Sequence, residues 1–296
     1  MKYTLLPLLA TGLIGLTSCD QSADSSAEGT TEATVTTLRF SAIPDEDTTG
    51  QTARFQPVAD YLAKKLDMKV EFVPSDSYGA SVEKFESGDI QLAWFGGVSG
   101  VQARDAVEGA KAIASGEKDL EFKSYFIANS STGMTESTDF PEGIKDLTFT
   151  FGSAGSTSGC IMPSNYILEE TGKGPMEFFQ KKPLGFSGAH DATAKQVEAG
   201  TFQAGALNYS TYEKLVANGT IDPAVCVKIW ETPTYADYNF TAHPALGSET
   251  IEKLQDALIN CDDPATLKAL DRDKLVKVDN DTFSGIATVL EKITFE

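Results

Sequence analysis

The stretch "FESGDIQLAWFGGVS" (residues 85–99) is echoed later in the chain by "VEAGTFQAGALNYST" (residues 197–211). In both, an apolar residue and a glutamate precede a glycine, Gly88 or Gly200, and a glutamine follows three residues later. Four small or apolar residues come next, and a Gly-Gly or Asn-Tyr pair ends the match. This order predicts the last turn of a helix, a glycine stop, a short buried strand and the start of another helix. Because the unit occurs twice, it predicts two similar lobes.

Strand-like and helix-like segments also alternate elsewhere in the chain. "TTLRFSAI" (36–43) and "MKVEFVP" (68–74) alternate as strands do, while "ARFQPVADYLAKKL" (53–66) places its apolar residues on one helical face. Such alternation is typical of α/β proteins with parallel sheets. We therefore expect an α/β fold of two lobes, each with a mostly parallel sheet flanked by helices.

The two lobes define where a ligand would bind. In open α/β sheets the binding crevice lies beyond the carboxyl ends of the strands, where the next helices begin. We expect the chain to cross between the lobes near residues 126–130 and 228–234. The expected division is lobe 1 at residues 37–127 and 234–296 and lobe 2 at residues 128–233.

The first residues have the pattern of an export signal. Lys2 precedes the apolar run "TLLPLLATGLIGL", and "LTSC" at residues 16–19 resembles the bacterial lipobox, whose cysteine is lipid-modified. The sequence thus predicts a signal peptide at 1–18 and a lipid anchor on Cys19, with a soluble exported protein as the alternative. The acidic, Ser/Thr-rich residues 19–36 are predicted to form a disordered tether. Together these features place the protein in the cell envelope, on the periplasmic face of a membrane; which membrane stays open.

The overall charge excludes one class of partner. The chain has 24 Lys and Arg against 43 Asp and Glu, a net charge of −19. Nucleic-acid binding requires a basic surface, so we expect none. A small anion is still compatible with this charge, because a closed cleft is governed by its own hydrogen-bond donors.

The cysteines do not indicate a metal site. Cys160, Cys226 and Cys261 remain after Cys19, and no pair has metal-binding spacing. We expect no metal and no cofactor. Cys226 and Cys261 are either a disulfide, which leaves Cys160 free, or small buried apolar residues.

The uncharged stretch "FGSAGSTSGC" (151–160) lies between a predicted strand and a predicted helix. It matches neither a phosphate-binding loop with lysine nor the serine-centred elbow of hydrolases. It does place the hydroxyls of Ser156, Thr157 and Ser158, and the backbone N–H groups of Ser158, Gly159 and Cys160, at a helix start. Such donors suit an anion. A simple linker or helix cap is the alternative.

Further candidate residues come from both predicted lobes. His190, in "FSGAHDATAKQVEAG", begins another predicted helix and is a candidate donor, or else a structural histidine. Tyr78 and Trp94 could reach the ligand from lobe 1, although aromatic residues at strand ends are more often core. A ligand that carries an O–H also needs an acceptor. The candidate acceptors are Asp45, Asp76 and Asp237.

Four segments together resemble the substrate-binding proteins of bacterial ABC importers of the phosphate, phosphite and phosphonate type. They are "AIPDED", "GDIQLAWFGG", "GSAGSTSG" and "SGAHDAT", and the resemblance covers residues 37–296. "YADYNF" and "AHDAT" are most similar to a branch labelled selenate-binding.

The resemblance implies a periplasmic-binding-protein (venus-flytrap) fold with the ligand between two lobes, and a membrane permease as partner. It implies that Ser156, Thr157, Ser158 and His190 hold a tetrahedral oxyanion together with Tyr78. Cys160 departs from many relatives, so no role is expected for its side chain. We expect a monomer that is not an enzyme.

Two other functions are compatible with the residues alone. A binding protein for a different small solute would share the two-lobed fold. An exported hydrolase could combine Ser156 or Ser158 with His190 and an acid. The element at the centre of the oxyanion stays open, because phosphonate, phosphite, phosphate, selenate and sulfate are all tetrahedral.

Overall fold

The computed structural model describes residues 36–293. The predicted signal peptide, Cys19 and all but the last residue of the predicted tether lie outside the described residues. Within residues 36–293, no helix is long and apolar enough to cross a membrane.

The described residues form two β-sheets, each flanked by helices, with elements numbered in chain order. The first sheet contains β1 (Thr37–Ala42), β2 (Lys69–Phe72), β3 (Leu92–Phe95), β4 (Lys111–Gly116), β10 (Asn239–Ala242) and β11 (Leu275–Lys277), in the order β11-β4-β10-β3-β1-β2. The second sheet contains β5 (Ser124–Asn129), β6 (Phe149–Phe151), β7 (Gly185–Phe186), β8 (Ala204–Asn208) and β9 (Cys226–Glu231), in the order β7-β6-β8-β5-β9. The helices are α1 (Gln51–Leu66), α2 (Tyr78–Glu86), α3 (Gly97–Ala106), α4 (Met162–Thr171), α5 (Pro175–Phe178), α6 (His190–Glu198), α7 (Tyr209–Ala217), α8 (Ser248–Ile259), α9 (Pro264–Leu270) and α10 (Ser284–Leu290). The first lobe is built on the first sheet and the second lobe on the second, which confirms the two-lobed α/β fold.

The sequence echo corresponds to one structural unit in each lobe. Helices α2 and α6 end just before Gly88 and Gly200, whose φ angles are 76° and 72°. These left-handed values favour glycine. The short buried strands β3 and β8 follow, and then helices α3 and α7. The predicted order of helix, stop, strand and helix is therefore confirmed in both lobes.

The glutamines of the echo fasten each unit to its sheet. Gln91 Oε1 accepts the backbone N–H of Arg39 at 3.0 Å, and Gln203 Oε1 accepts that of Thr148 at 3.1 Å. Arg39 lies in β1, the parallel neighbour of β3, and Thr148 directly precedes β6, the parallel neighbour of β8. The glutamine therefore makes the same kind of contact in each lobe. The two lobes thus share this side-chain contact as well as the order of their elements.

Both sheets are mixed, whereas the sequence predicted mostly parallel ones. In the first sheet β10 runs antiparallel to β3 and β4; in the second, β5 runs antiparallel to β8 and β9. The path of the chain explains the directions of β5 and β10, while β11, which is antiparallel to β4, is reached within the first lobe. A strand that arrives from the other lobe begins at the edge where its neighbours end, so it must run in the opposite direction.

The two chain crossings lie at residues 117–123 and 232–238 and are paired with each other. Phe122 and Tyr235 exchange two backbone hydrogen bonds of 2.9 Å, and the N–H of Asp237 donates to the carbonyl of Asp119 at 2.9 Å. The expected crossings at 126–130 and 228–234 fall largely inside β5 and β9. Apolar residues continue from the strands into the crossings, as at Phe122 and Tyr235, so the apolar pattern does not mark the strand ends.

The cysteines of the described residues are free thiols. Cys160 and Cys226 are fully buried and Cys261 is partly buried. Cys226 packs in the second lobe, where its thiol donates to the carbonyl of Ala194, while Cys261 packs against the core of the first. The disulfide considered from the sequence is not present, and the alternative of small buried residues fits.

We predict that Gln91→Leu lowers the free energy of unfolding by about 0.5–1.5 kcal/mol, because the partly buried N–H of Arg39 loses its acceptor and the carbonyl of Gly88 its donor. Urea denaturation of the ligand-free protein measures the change. Gln56→Leu is the control, since Gln56 is exposed on α1 and bonds only Asp60. An equal effect of the two substitutions would contradict the assigned role of Gln91.

Candidate functional site

The hydroxyl residues of "FGSAGSTSGC" begin a helix of the second lobe. Ser156 caps a π-helical turn, Thr157–Ile161, that continues into α4. Its Oγ accepts the N–H of Gly159 at 3.0 Å, so this N–H is not available to a ligand, contrary to the expectation from the sequence. The side chains of Ser156, Thr157 and Ser158 are all buried. The turn is therefore not a linker. Ser156 does cap a helix, as one alternative supposed, and the hydroxyls of the turn stay candidate donors to an anion.

His190 lies beside this turn, at the start of α6. Its Nδ1 accepts the backbone N–H of Asn208 at 3.2 Å, and its Nε2 lies 3.4 Å from Ser156 Oγ. Burial lowers the pKa of His190 to about 4, an effect that the Asp45 and Asp191 carboxylates oppose only in part. The ring is therefore neutral near pH 7. Because Nδ1 is an acceptor, the single ring proton is on Nε2, which faces Ser156.

This tautomer argues against the hydrolase alternative. In a serine hydrolase the Nε2 atom of histidine is unprotonated and removes the serine proton, while Nδ1–H donates to an acid. Here Nδ1 receives a proton donor and Nε2 carries the proton. His190 can donate a hydrogen bond toward Ser156 but cannot deprotonate it.

The first lobe meets the hydroxyl turn through the N-terminus of α3. The N–H of Gly97 donates to Asp237 Oδ1 at 2.8 Å, and the N–H of Val98 donates to Thr157 Oγ1 at 3.0 Å. Gly96 makes this approach possible, since a Cβ there would lie 3.1 Å from Thr157 Oγ1 and 3.2 Å from Asp237 Oδ1. The turn of one lobe, the helix start of the other and the second crossing thus converge.

Asp237 has one carboxylate oxygen to spare. Its Oδ2 is buried and has no hydrogen-bond partner among the described residues. Burial raises the pKa of Asp237 to about 7, although the Gly97 N–H and the hydroxyls of Thr157 and Ser158 favour the charged form. An unpartnered buried oxygen is costly unless something binds it. Asp237 is thus a group that can accept or donate a proton near pH 7.

The other two candidate acceptors do not fit. Burial opposes ionisation of Asp45, but the charge of Arg54 and other groups outweigh it and lower the pKa of Asp45. Its carboxylate is bound by Arg54 at 3.2 Å and by the Tyr238 hydroxyl at 3.1 Å. Asp76 is exposed in the loop before α2. Of the three aspartates, Asp237 is the one with a free buried oxygen.

The two aromatic candidates have different positions. Tyr78, the first residue of α2, lies against Gly155. A Cβ added at Gly155 would lie 3.0 Å from the Cβ of Tyr78. Burial raises the pKa of Tyr78 well above its ordinary value, so the phenol keeps its proton, and a hydrogen bond links it with Ser156. Trp94 instead packs in the core of the first lobe, stacked on Tyr238 at 5.5 Å. Its ring packs against one face of the Tyr238 ring.

Sequence reasoning missed Asn208, which orients His190. Besides its backbone bond to the ring, Asn208 caps α7 by accepting the Thr211 N–H at 2.7 Å, and its amide donates to the Tyr238 hydroxyl at 3.2 Å. Asn208 occupies the Asn-Tyr end of the echo, so a signal was present. The nearby Ser210-x-x-Glu213 has the form of a capping box, but Ser210 lies inside the helix.

A cavity of about 460 Å³ on the first lobe, lined by Lys111, Gln255 and Lys277 among others, includes none of the candidate residues. No cluster of His, Cys, Asp and Glu within residues 36–293 could hold a metal ion.

Comparisons with known proteins identify the family of the chain. Residues 40–283 match the family described as "ABC transporter, phosphonate, periplasmic substrate-binding protein". The "Probable ABC transporter phosphite binding protein PhnD1" of Prochlorococcus marinus (strain MIT 9301) is 37% identical over 231 residues, 76% of this chain and 77% of that protein. The "Phosphate-import protein PhnD" of Mycolicibacterium smegmatis is 30% identical over 254 residues, 81% of this chain and 76% of that protein.

A solved structure of PhnD1 from Prochlorococcus marinus in complex with methylphosphonate superimposes on this chain with a TM-score of 0.80. It is 33% identical and covers 87% of this chain and 98% of that one. The likeness thus extends through both lobes. The chain belongs to the family of periplasmic substrate-binding proteins of phosphonate ABC transporters.

Proposed function

We propose that this protein captures a small tetrahedral phosphorus oxyanion, a phosphonate, phosphite or phosphate, between its lobes and delivers it to an ABC importer. The observation that carries the proposal is the convergence of neutral donors with one spare carboxylate oxygen. The named relatives bind phosphite, import phosphate or hold methylphosphonate, which supports the same ligand class. The family functions in transport and not in catalysis.

The donors suit an anion that is removed from water. The proposed set is the hydroxyls of Ser156, Thr157 and Ser158, the Nε2–H of His190 and the phenol of Tyr78, all of them buried. The backbone at Gly159 shapes the turn, while its N–H is used internally. In a closed cleft, neutral dipoles aimed at one point hold an anion firmly because water no longer competes. No lysine or arginine is required.

Asp237 supplies the selectivity. A phosphonate, phosphite or phosphate monoanion has an O–H that the free Oδ2 can accept. Sulfate and selenate have no proton at neutral pH, so they could bind only while Asp237 is itself protonated. A ligand with an O–H can donate to the carboxylate or accept from the carboxyl of Asp237, whereas sulfate and selenate require the protonated form, which becomes rarer as the pH rises above 7. We therefore prefer the phosphorus oxyanions over the selenate of the branch that the sequence resembles.

The lobes would act as two jaws. We infer that residues 37–116 with 239–293 and residues 124–231 move as two bodies about the paired crossings at 117–123 and 232–238, in place of the division at residues 128 and 234 that was expected from the sequence. A ligand that touches both lobes stabilises the closed form by its differential affinity. A membrane permease would then recognise that form.

Members of this family work on the periplasmic side of the cell envelope. We infer in addition that Cys19 carries a lipid that anchors the protein to a membrane, because it ends a lipobox-like "LTSC". The residues after it would serve as a tether. We expect the body to be a monomer.

We predict that one or more phosphorus oxyanions raise the melting temperature of the ligand-stripped protein, while sulfate and selenate do so only weakly. Thermal denaturation with phosphite, methylphosphonate, 2-aminoethylphosphonate, phosphate, sulfate and selenate is the test. A ligand at a hundred times its Kd adds about 2.7 kcal/mol to stability.

The outcomes distinguish the remaining alternatives. A shift with sulfate or selenate alone would contradict the role of Asp237 and favour the selenate-binding branch. No shift with any of the six anions would contradict the oxyanion proposal and leave a binding protein for another solute.

We predict that affinity for methylphosphonate falls as the pH rises above about 8, approaching tenfold per pH unit. The complex keeps one proton between Asp237 and the ligand. Above pH 7 free Asp237 loses that proton, because its pKa is about 7, and the free ligand loses its own near the same pH. Binding must therefore take up a proton. Calorimetric titration between pH 6 and 9.5 measures the slope.

The control is Asp237→Asn, whose amide can donate to a fully deprotonated oxyanion. We expect its affinity to be flat above pH 8 and its preference to shift toward sulfate. The raised pKa of Asp237 costs the ligand-free parent stability as the pH rises from about 4 to about 7, and the full cost remains above pH 7, so the variant should also melt higher than the parent at pH 8. A parallel pH slope in parent and variant would remove Asp237 from the site.

We predict that Cys19→Ala moves the full-length protein from the membrane to the soluble fraction of cell extracts, because the residue that would carry the lipid is lost. Ligand affinity should be unchanged. Detergent-phase partition of the two proteins measures the difference. Equal partition would show that Cys19 is not lipid-modified.

A further inference from the structure

The loop after β1 carries a contact between the lobes that the ligand site does not require. Its residue Asp45 accepts the backbone N–H of His190, in the second lobe, at 3.0 Å. The Asp45 side chain is in turn fixed by Arg54 and Tyr238 of the first lobe. The backbone that follows Asp45 is therefore held firmly against the second lobe.

Glu46, the next residue, extends into the second lobe. Its Oε1 accepts the ammonium of Lys214 and, at 3.3 Å, the hydroxyl of Thr211. Both partners lie on α7, whose N-terminus is capped by Asn208, the residue that orients His190. Glu46 thus binds α7, whose capping residue Asn208 positions His190, the proposed anion donor.

The ion pair between Glu46 and Lys214 is partly shielded from solvent. The Glu46 side chain is 23% exposed and that of Lys214 is 37% exposed, so the pair is neither fully solvated nor fully desolvated. Charge-assisted hydrogen bonds of this kind are stronger than those between neutral groups, and partial burial limits screening by salt. A second lysine of the same lobe, Lys195, is close enough to feel the charges of Glu46 and Asp47.

We propose that Glu46, Thr211 and Lys214 form an interlobe latch that stabilises the closed form and slows ligand escape. This rests on the proposed function. Because Glu46 follows a strand of the first sheet and Lys214 a strand of the second, the contact forms only when the lobes meet. Glu46 is a positioning residue, since it acts on the lobes and touches no ligand.

The test compares Glu46→Gln, Lys214→Met and the double variant of the full chain with the parent. We expect each single variant to weaken methylphosphonate binding by roughly three- to tenfold, mainly through faster dissociation. The double variant should be no weaker than either single one, because both remove the same contact. The affinity of the parent should also fall more steeply with added salt than that of Glu46→Gln.

Glu249→Gln is the matched control, since Glu249 pairs with Lys253 within α8 and joins no lobes. It should leave affinity, dissociation rate and salt dependence unchanged. If Glu46→Gln behaves like this control, or if the effects of Glu46→Gln and Lys214→Met simply add, the latch is overturned while the proposed function stands.

A parent that binds no oxyanion would overturn the proposed function instead. Small-angle X-ray scattering of the ligand-free chain then decides on the latch. A larger radius of gyration for Glu46→Gln than for the parent supports it, and equal radii overturn it.

Discussion

The buried ion pair between Asp119 and Arg272 holds the place where the chain passes between the lobes. Arg272 donates to both oxygens of this fully buried carboxylate, at 2.6 and 2.5 Å, and its guanidinium lies 5.0 Å from the Tyr238 ring. Removing one partner of such a pair costs about 3–5 kcal/mol, because the other charge is left unpaired. The carbonyl of Asp119 also receives the Asp237 N–H. The position of the spare carboxylate oxygen therefore depends on this pair.

Burial acts differently on the acids that surround the cleft. Asp45 is neutralised by Arg54, so its carboxylate is structural. Asp237 is just as buried but faces a helix N-terminus and hydroxyls, which stabilise its charge less than a guanidinium would. Its proton is therefore held loosely enough to be shared near pH 7. The surrounding charges, and not the residue type, decide which aspartate is available for chemistry.

The local units of the fold could be predicted from the sequence, and the long-range pairings could not. The glycine stops and the hydroxyl turn depend on neighbours a few residues away, so a short pattern reveals them. The two glutamines were visible as a repeat, but the backbone groups that they accept lie 52 and 55 residues away. Lys214 is 168 residues from Glu46, and Arg272 is 153 from Asp119; no local pattern marks either pair. Trp94, an aromatic at a strand end and a candidate ligand contact, lies in the core and stacks on Tyr238, a long-range pairing that no local pattern marks.

The neutral character of the donors around Ser156 and His190 bears on how cargo would be unloaded. Hydroxyl and imidazole N–H groups hold an anion strongly only while water is kept out, since water bonds to them as well as any oxyanion does. Once the lobes open, hydration of the donors and of the anion is enough to weaken binding, and no cation is needed to draw the anion away. A permease that only opens the two lobes would thus cause release of the anion, without a binding site of higher affinity than that of this protein.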